Sequence, residues 1–126
     1  MGTMRFDASA ESARAARGFV RQALGSAGLA ELDEIAILLT SELVTNVVRH
    51  SHSGGKVDVE VRDRVVRVSV SDDSPIMPAV HEPETSADGG RGLWLVAQLS
   101  DDWGATRVVD DGKVVWFETS SERAPA

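Results

Sequence analysis

The sequence has no cysteine and few cationic residues, and both shortages narrow the chemistry of the chain. Without cysteine there is no disulfide, no thiol nucleophile and no zinc–thiolate site. Only 13 Lys and Arg stand against 20 Asp and Glu, which gives a net charge of −7. Nucleic-acid-binding domains carry a basic face, and anionic membranes attract basic segments. We therefore expect no nucleic-acid partner and no membrane partner.

Long apolar runs are also missing. No run is long enough to span a bilayer, and the N-terminal stretch "MGTMRFDASAESARAARG" is too polar for a secretory signal peptide. With the lack of cysteine, this predicts a cytoplasmic protein. The 126 residues are 42% hydrophobic, enough for one core. We predict one domain over residues 5–119, with flexible termini at 1–4 and 120–126.

Two amphipathic helices are predicted in the first half of the chain. From about residue 9 to 27, apolar residues recur every three or four positions, and Asp7 or Ser9 is placed to cap that helix. A second helix is predicted from near Leu29, with acidic residues in its first turn that suit the helix dipole. It should end at "HSHSGG", where a glycine pair breaks the pattern.

Strands dominate the second half. In "KVDVEVRDRVVRVSVS" valines alternate with polar residues, which predicts two half-buried strands joined by a tight turn near Asp63 and Arg64. "GGRGLWLVAQLS" predicts a short helix, and "WGATRVV" and "KVVWFET" predict two more strands joined by a hairpin turn at "DDGK". This order favours an α+β fold: a two-layer α/β sandwich with helices on one face of a mixed, mostly antiparallel sheet.

Glu42 and Asn46 lie one helical turn apart beside the apolar stripe of the second helix. They either touch water at the edge of the stripe or face a ligand cavity, because burying a carboxylate without partners is costly. In the second case Asn46 can offer an oxygen to Mg²⁺, which shares its ligand sphere with substrate phosphates. Glu42 can then orient or deprotonate a nucleophile.

Two further segments suit a nucleotide. Asp72 follows a strand and is either a turn former or an acceptor for the exocyclic amine of adenine, while Asp73 is interpreted as a turn former. Gly90 and Gly92 precede the short helix, where backbone amides can approach phosphates, and Arg91 can add charge-assisted bonds. The alternatives are an ordinary helix-entry loop and a solvated arginine.

These segments occur in a characteristic order. Glu-x-x-x-Asn on a helix, Asp-x-Ser-Pro after a hairpin strand and Gly-Arg-Gly-Leu opening a helix resemble the nucleotide site of the GHKL (Bergerat-fold) ATPase and kinase superfamily. "SELVTNVVRHS", "DDSP", "GRGLWLV" and "GKVVWFE" most resemble its anti-sigma-factor serine/threonine kinases of actinobacterial type, from about Phe6 to Glu118. The resemblance implies transfer of the ATP γ-phosphoryl group to Ser or Thr of an antagonist protein, sequestration of a sigma factor, and a homodimer.

The resemblance also implies roles for single residues. Glu42 would activate the attacking hydroxyl group, Asn46 would bind Mg²⁺, and Asp72 would contact adenine. Arg49 would reach a phosphate or Glu42, with a solvated arginine as the alternative. The proline-rich loop before the glycines resembles the ATP lid. The implied nucleotide-binding set is Asn46, Arg49, Asp72, Ser74, Gly90, Arg91, Gly92 and Leu93.

Two departures from the family pattern leave alternatives open. The usual Asp-x-Gly-x-Gly lacks its glycines here, since the residues are "DDSPI", and Val114 stands where relatives often carry Thr in the strand that closes the adenine pocket. A non-catalytic, nucleotide-dependent protein-interaction module is therefore an alternative. A histidine-kinase catalytic fragment is less favoured, because no helix pair with a phosphoacceptor His and no transmembrane sensor precedes Phe6.

The histidines and tryptophans receive structural interpretations. His50 and His52 lie at a helix end without a third ligand at suitable spacing, so a solvated helix end is favoured over zinc. A Ser–His–Asp triad lacks a nucleophile-elbow pattern. All three tryptophans lie in apolar elements and are predicted to pack in the core: Trp94, Trp103 and Trp116.

Overall fold

The computed structural model describes residues 2–74, 91–108 and 112–121. Their α-helices are α1 (Ser12–Ser26), α2 (Asp33–His50) and α3 (Arg91–Leu99), with a short 3₁₀ helix at Ala30–Leu32. Their strands are β1 (Gly2–Phe6), β2 (Gly55–Arg62), β3 (Val65–Asp72), β4 (Asp102–Arg107) and β5 (Lys113–Ser120). The five strands form one sheet in the order β1-β2-β3-β5-β4, and every pairing in it is antiparallel. The predicted α+β fold is confirmed.

Strict alternation along the strands builds the core. In β2, β3 and β5 the apolar residues of one face are buried, whereas most residues between them stay partly exposed. The buried strand face and the apolar stripes of α1, α2 and α3 form one cluster, so the helices cover that face of the sheet. Its strand members are Val57, Val59, Val66, Val68, Val70, Val115 and Phe117.

The N-terminal residues differ from the prediction. Residues 2–4, expected in a flexible terminus, belong to β1, which pairs antiparallel with β2 from Gly2 opposite Val59 to Phe6 opposite Gly55. Met4 and Phe6 pack against the core, and they alternate with more exposed residues. Five residues of alternation are too short to stand out from sequence, and pairing with β2 decides their structure. Residues 122–126 lie outside the described residues.

The start of α1 also differs from the prediction. Its N-cap is Glu11, which makes no side-chain cap hydrogen bond, so neither Asp7 nor Ser9 caps the helix. The Ser12 hydroxyl instead donates to the Asp7 carbonyl oxygen at 2.6 Å, which ties the helix start to the end of β1. The hydrogen bond between Ser12 and Asp7 therefore fixes the connection between β1 and α1. A local capping pattern does not predict this contact.

The turns follow the predicted positions where they are described. Asp63 adopts φ 56° in the tight turn between β2 and β3, which confirms that hairpin. Gly28, with φ 75°, lies after α1, and the Leu29 N–H donates to the Leu24 carbonyl at 2.8 Å. The loop over residues 75–90 and residues 109–111, which include both aspartates of the "DDGK" turn, lie outside the described residues. No helix in the described ranges is long and apolar enough to cross a membrane.

Candidate functional site

One end of the sheet collects the polar residues of the candidate site. Gly55, Asp72 and Lys113 lie directly opposite one another on β2, β3 and β5, and we call this row the Asp72 end of the sheet. Asp72 continues the buried alternation of β3, so its side chain lies on the helix-covered face. The ring of Phe6 approaches Gly55 so closely that a Cβ there would lie 3.0 Å from it.

The Asp72 carboxylate is buried and already holds partners. Its side chain is 2% exposed, and Oδ1 accepts from Lys113 Nζ at 2.9 Å and from the Ser74 backbone N–H at 2.7 Å. The Ser74 contact is the local bond of a turn former, while the Lys113 contact faces the site. Sequence reasoning missed Lys113, because only the pairing of β3 with β5 places it opposite Asp72.

Val114 does not face this site. It is half-buried, and the residues on either side of it, Lys113 and Val115, are the ones that point into the helix-covered face. Since side chains alternate along a strand, Val114 lies on the other face of the sheet. Val114, which stands near the position where relatives often carry Thr, therefore points away from Asp72, and the residue of β5 that reaches Asp72 is Lys113.

Asp73 joins the end of α2 to the end of β3. Its carboxylate is exposed, and it accepts hydrogen bonds from the hydroxyl groups of Ser53 and Ser51, the latter at 3.0 Å. The Ser53 bond first, and then the Ser51 bond, hold the pKa of Asp73 below its ordinary value. Its partners lie about twenty residues back along the chain, so Asp73 acts in tertiary contacts rather than only as a local turn former.

Glu42 and Asn46 lie one turn apart on α2, as predicted, and both are half-buried beside the buried Leu43 and Val47. Asn46 precedes Ser51 by five residues, which is about 7.5 Å along a helix axis. Because Ser51 is hydrogen-bonded to Asp73, the last turns of α2 run beside the Asp72 end of the sheet. Glu42 and Asn46 thus lie on the helix that borders Asp72.

The other predicted binding residues fall in three groups. Arg49 is exposed on the last turn of α2, and Ser74 is buried at 8% exposure. Leu93 is buried in the core at 2% exposure, on the helix α3 that contacts α2 and β4. Arg91 and Gly92 open α3, but Gly90 and the side chain of Arg91 lie outside the described residues, so the phosphate-binding role of these three residues stays a prediction.

The tryptophans differ in placement. Trp103 packs against the core as predicted, but Trp116 lies half-buried on the open face of the sheet, so its predicted core position is wrong. Its ring lies against Gly104, where a Cβ would come within 2.7 Å of the ring atom Nε1, and the Arg67 guanidinium lies 3.9 Å from the ring centroid. Trp116 therefore packs against Gly104 of β4 and Arg67 of β3, not against the core.

The histidines at the end of α2, His50 and His52, are both exposed. Within residues 2–74, 91–108 and 112–121, no group of three or more His, Asp or Glu residues is arranged to hold a metal ion. Mg²⁺ takes oxygen ligands, keeps several waters and shares its ligand sphere with substrate phosphates, so it needs few protein ligands. Asn46 therefore fits the implied magnesium role by the kind of donor atom it carries.

Comparison with known proteins gives a family and a fold. A family described as "Histidine kinase-like ATPase domain" matches residues 6–119. No curated protein matches the chain. Among solved structures, the Acinetobacter baumannii histidine kinase AdeS is similar over 98% of this chain and 69% of that chain, with a TM-score of 0.53 and 15% sequence identity. At that identity, the likeness concerns the fold.

Proposed function

Because the chain belongs to the family of histidine kinase-like ATPase domains, we propose that it is an ATP-dependent protein serine/threonine kinase of the anti-sigma-factor type. The family accounts for ATP binding and kinase-like chemistry. The Ser/Thr specificity, the antagonist substrate, the sequestered sigma factor and the homodimer rest on the sequence resemblance of "SELVTNVVRHS", "DDSP", "GRGLWLV" and "GKVVWFE".

One observation carries the proposal. Glu42 and Asn46 are half-buried, one turn apart, on the helix whose end is hydrogen-bonded to the strand end that carries Asp72. A ligand with its base at Asp72 and its phosphates along α2 would meet both side chains. This arrangement supports a nucleotide-binding role for that end of the sheet.

Each residue then has a defined task. Asp72 accepts a hydrogen bond from the base, and Asn46 offers its amide oxygen to Mg²⁺. Held there beside the phosphates, Mg²⁺ would supply positive charge that offsets the charge developing during phosphoryl transfer. Glu42 accepts the proton of the attacking Ser or Thr hydroxyl group, since a carboxylate within reach of that group acts as a general base.

Two substitutions in α2 test these roles of Glu42 and Asn46. We expect Glu42→Gln to lower phosphotransfer to the antagonist by a factor of about 10² or more while ATP binding persists. Asn46→Ala should remove the magnesium dependence of ATP binding, measured by titration calorimetry. Glu34→Gln is the matched control, because Glu34 lies exposed in the first turn of the same helix.

Two results would contradict the proposal at different levels. If the wild-type chain gives no binding signal with ATP and Mg²⁺, its nucleotide function is refuted. If Glu42→Gln still phosphorylates an antagonist with a sulfate-transporter-like domain at the wild-type rate, only the role of Glu42 is refuted.

A non-catalytic interaction module is the second candidate, and Ser74 is the observation that favours it. Ser74 is buried and stands where the family usually carries a glycine, and a side chain at that position would narrow the space beside Asp72. In that case the protein holds its partner with or without nucleotide. Partner binding without any phosphotransfer, unchanged by Glu42→Gln, would identify this function.

A further inference from the structure

Lys113 occupies a position where the strand pattern calls for an apolar residue. It lies on the same face of β5 as Val115 and Phe117, which belong to the core, and its side chain is only 11% exposed. Lysine is almost never buried unless it is paired. Lys113 is paired with Asp72, the residue proposed to contact the base of a nucleotide, so its ammonium group belongs to the same site.

Both partners keep hydrogen-bonding capacity for a ligand. In the described part of the chain, the hydrogen bonds of the Asp72 carboxylate arrive at Oδ1, from Lys113 Nζ and the Ser74 N–H. A carboxylate offers acceptor positions on both oxygens, and an ammonium group has three donors. Asp72 and Lys113 therefore present an acceptor and a donor side by side, 2.9 Å apart.

The order of acceptor and donor matches one purine edge. Adenine carries an N–H donor at its exocyclic N6 and an acceptor at the neighbouring N1. Guanine carries the reverse, an acceptor at O6 and an N–H donor at N1. A guanine base in the same orientation would set its O6 against the carboxylate and its N1–H against the ammonium group, leaving buried polar groups unpaired.

We propose that Lys113 adds a second contact beside the implied contact of Asp72 with the N6 amine: Lys113 donates a hydrogen bond to adenine N1. The inference rests on the proposed nucleotide site and deepens it. Lys113 is then a specificity-determining residue. The competing explanation is an ion pair that only holds β3 and β5 together and makes no contact with the base.

Two nucleotide analogues separate these explanations on the wild-type protein. 1-Deaza-ATP keeps the N6 amine but lacks the N1 acceptor, while purine riboside 5′-triphosphate keeps N1 but lacks the amine. We expect calorimetry with Mg²⁺ to show about 10- to 100-fold weaker binding of each analogue than of ATP, because each analogue loses one hydrogen bond to a charged group. If 1-deaza-ATP binds as tightly as ATP, the inference is refuted.

A variant then assigns the N1 contact to Lys113. Lys113→Met should weaken ATP binding by about the same factor and should bind ATP and 1-deaza-ATP equally, since the N1 contact is already lost. Lys56→Met is the matched control: Lys56 belongs to β2 one residue from Gly55, on the opposite face of the sheet, and should keep the full preference for ATP.

The outcomes distinguish this inference from the proposed function. If the wild-type chain binds no ATP, both are refuted. If it binds ATP but Lys113→Met still prefers ATP over 1-deaza-ATP, only the role of Lys113 is refuted. Should Lys113→Met fail to fold, as judged by circular dichroism, the two analogues on the wild-type protein decide the question alone.

Discussion

The two ends of β3 each carry an ion pair, but the pairs differ in burial. At the Asp72 end, Lys113 and Asp72 are 11% and 2% exposed. At the opposite end, which we call the Arg64 end, Arg64 Nη2 contacts Glu31 Oε2 at 2.5 Å, and the side chains are 29% and 28% exposed. A water-accessible pair contributes little to stability, whereas a buried pair makes the fold sensitive to loss of either member.

The two ends of the sheet therefore differ in role. At the Arg64 end, Ser121 also donates to Glu31, so the contacts fasten the 3₁₀ helix, the β2–β3 hairpin and the residue after β5 to one another. These contacts therefore have a structural role: they join three segments that are far apart in the sequence. The Asp72 end instead concentrates paired polar groups on the helix-covered face, beside the last turns of α2, where a ligand can use them.

The largest expected effect comes from breaking the buried pair. Lys113→Met leaves the Asp72 carboxylate in place without its ammonium partner, which should lower the free energy of unfolding by about 3 kcal/mol. Asp72→Asn should have a similar effect, and the double variant should be less destabilised than the sum of the two, because it no longer buries an unpaired charge. Urea denaturation measures all three.

Additive effects of the two substitutions would contradict this coupling. Single effects below about 0.5 kcal/mol would show that the Asp72 end is as tolerant as the Arg64 end. Either outcome would remove the difference between the two ends.

The next largest effect tests backbone packing near the Asp72 end. Gly54 has φ 75°, and a Cβ there would collide with the backbone of Phe6 and Asp7. Gly54→Ala should therefore destabilise the protein by at least about 2 kcal/mol. Gly18→Ala, in α1, is the control: a Cβ there meets nothing within 4 Å. That variant should gain up to about 1 kcal/mol from helix propensity.

Equal unfolding midpoints of Gly54→Ala and the wild type would show that the turn before β2 can shift. In that case, the packing of Gly54 would not contribute to the stability of the Asp72 end.

A smaller effect is expected at the Arg64 end. Arg64→Ala removes the contact with Glu31, but both groups remain accessible to water, so the loss should be about 1 kcal/mol or less. It should also shrink in 1 M salt, which screens exposed charges. A loss as large as that of Lys113→Met would mean that burial does not distinguish the two ion pairs.

The smallest effect concerns Asp73. Because hydrogen bonds from Ser53 and Ser51 lower its pKa in the folded state, this group contributes stability above its unfolded pKa, and that contribution disappears as the pH falls through the folded pKa. Ser53→Ala should raise the pKa of Asp73 toward its ordinary value, as followed by NMR titration of the side-chain carboxyl carbon. In this variant, the free energy of unfolding should also fall less steeply as the pH is lowered.

A matched pair controls this measurement. The pKa of Asp7 is lowered by hydrogen bonds from Ser9 first and then Ser12. Ser9→Ala should therefore raise the pKa of Asp7 and leave that of Asp73 unchanged. An unchanged pKa of Asp73 in Ser53→Ala would show that the Ser53 hydroxyl does not hold this carboxylate.

Local patterns predict much of the fold and part of the site. Alternating valines indicate β2 and β3, and the three- and four-residue apolar spacing indicates α1 and α2, because each pattern follows the period of its own element. The same periodicity places Glu42 and Asn46 one turn apart. It does not reveal β1, since five alternating residues depend on β2 for pairing.

The sequence by itself determined the helices, the central strands and the order of the nucleotide-binding motifs, because neighbouring residues along the chain decide each of these. Only the tertiary structure decided which side chains meet at the Asp72 end. Lys113 faces Asp72, and Val114 turns away, because β5 pairs with β3 in one register across about forty intervening residues. That register follows from packing both strands against the same helices, which no short stretch of sequence specifies.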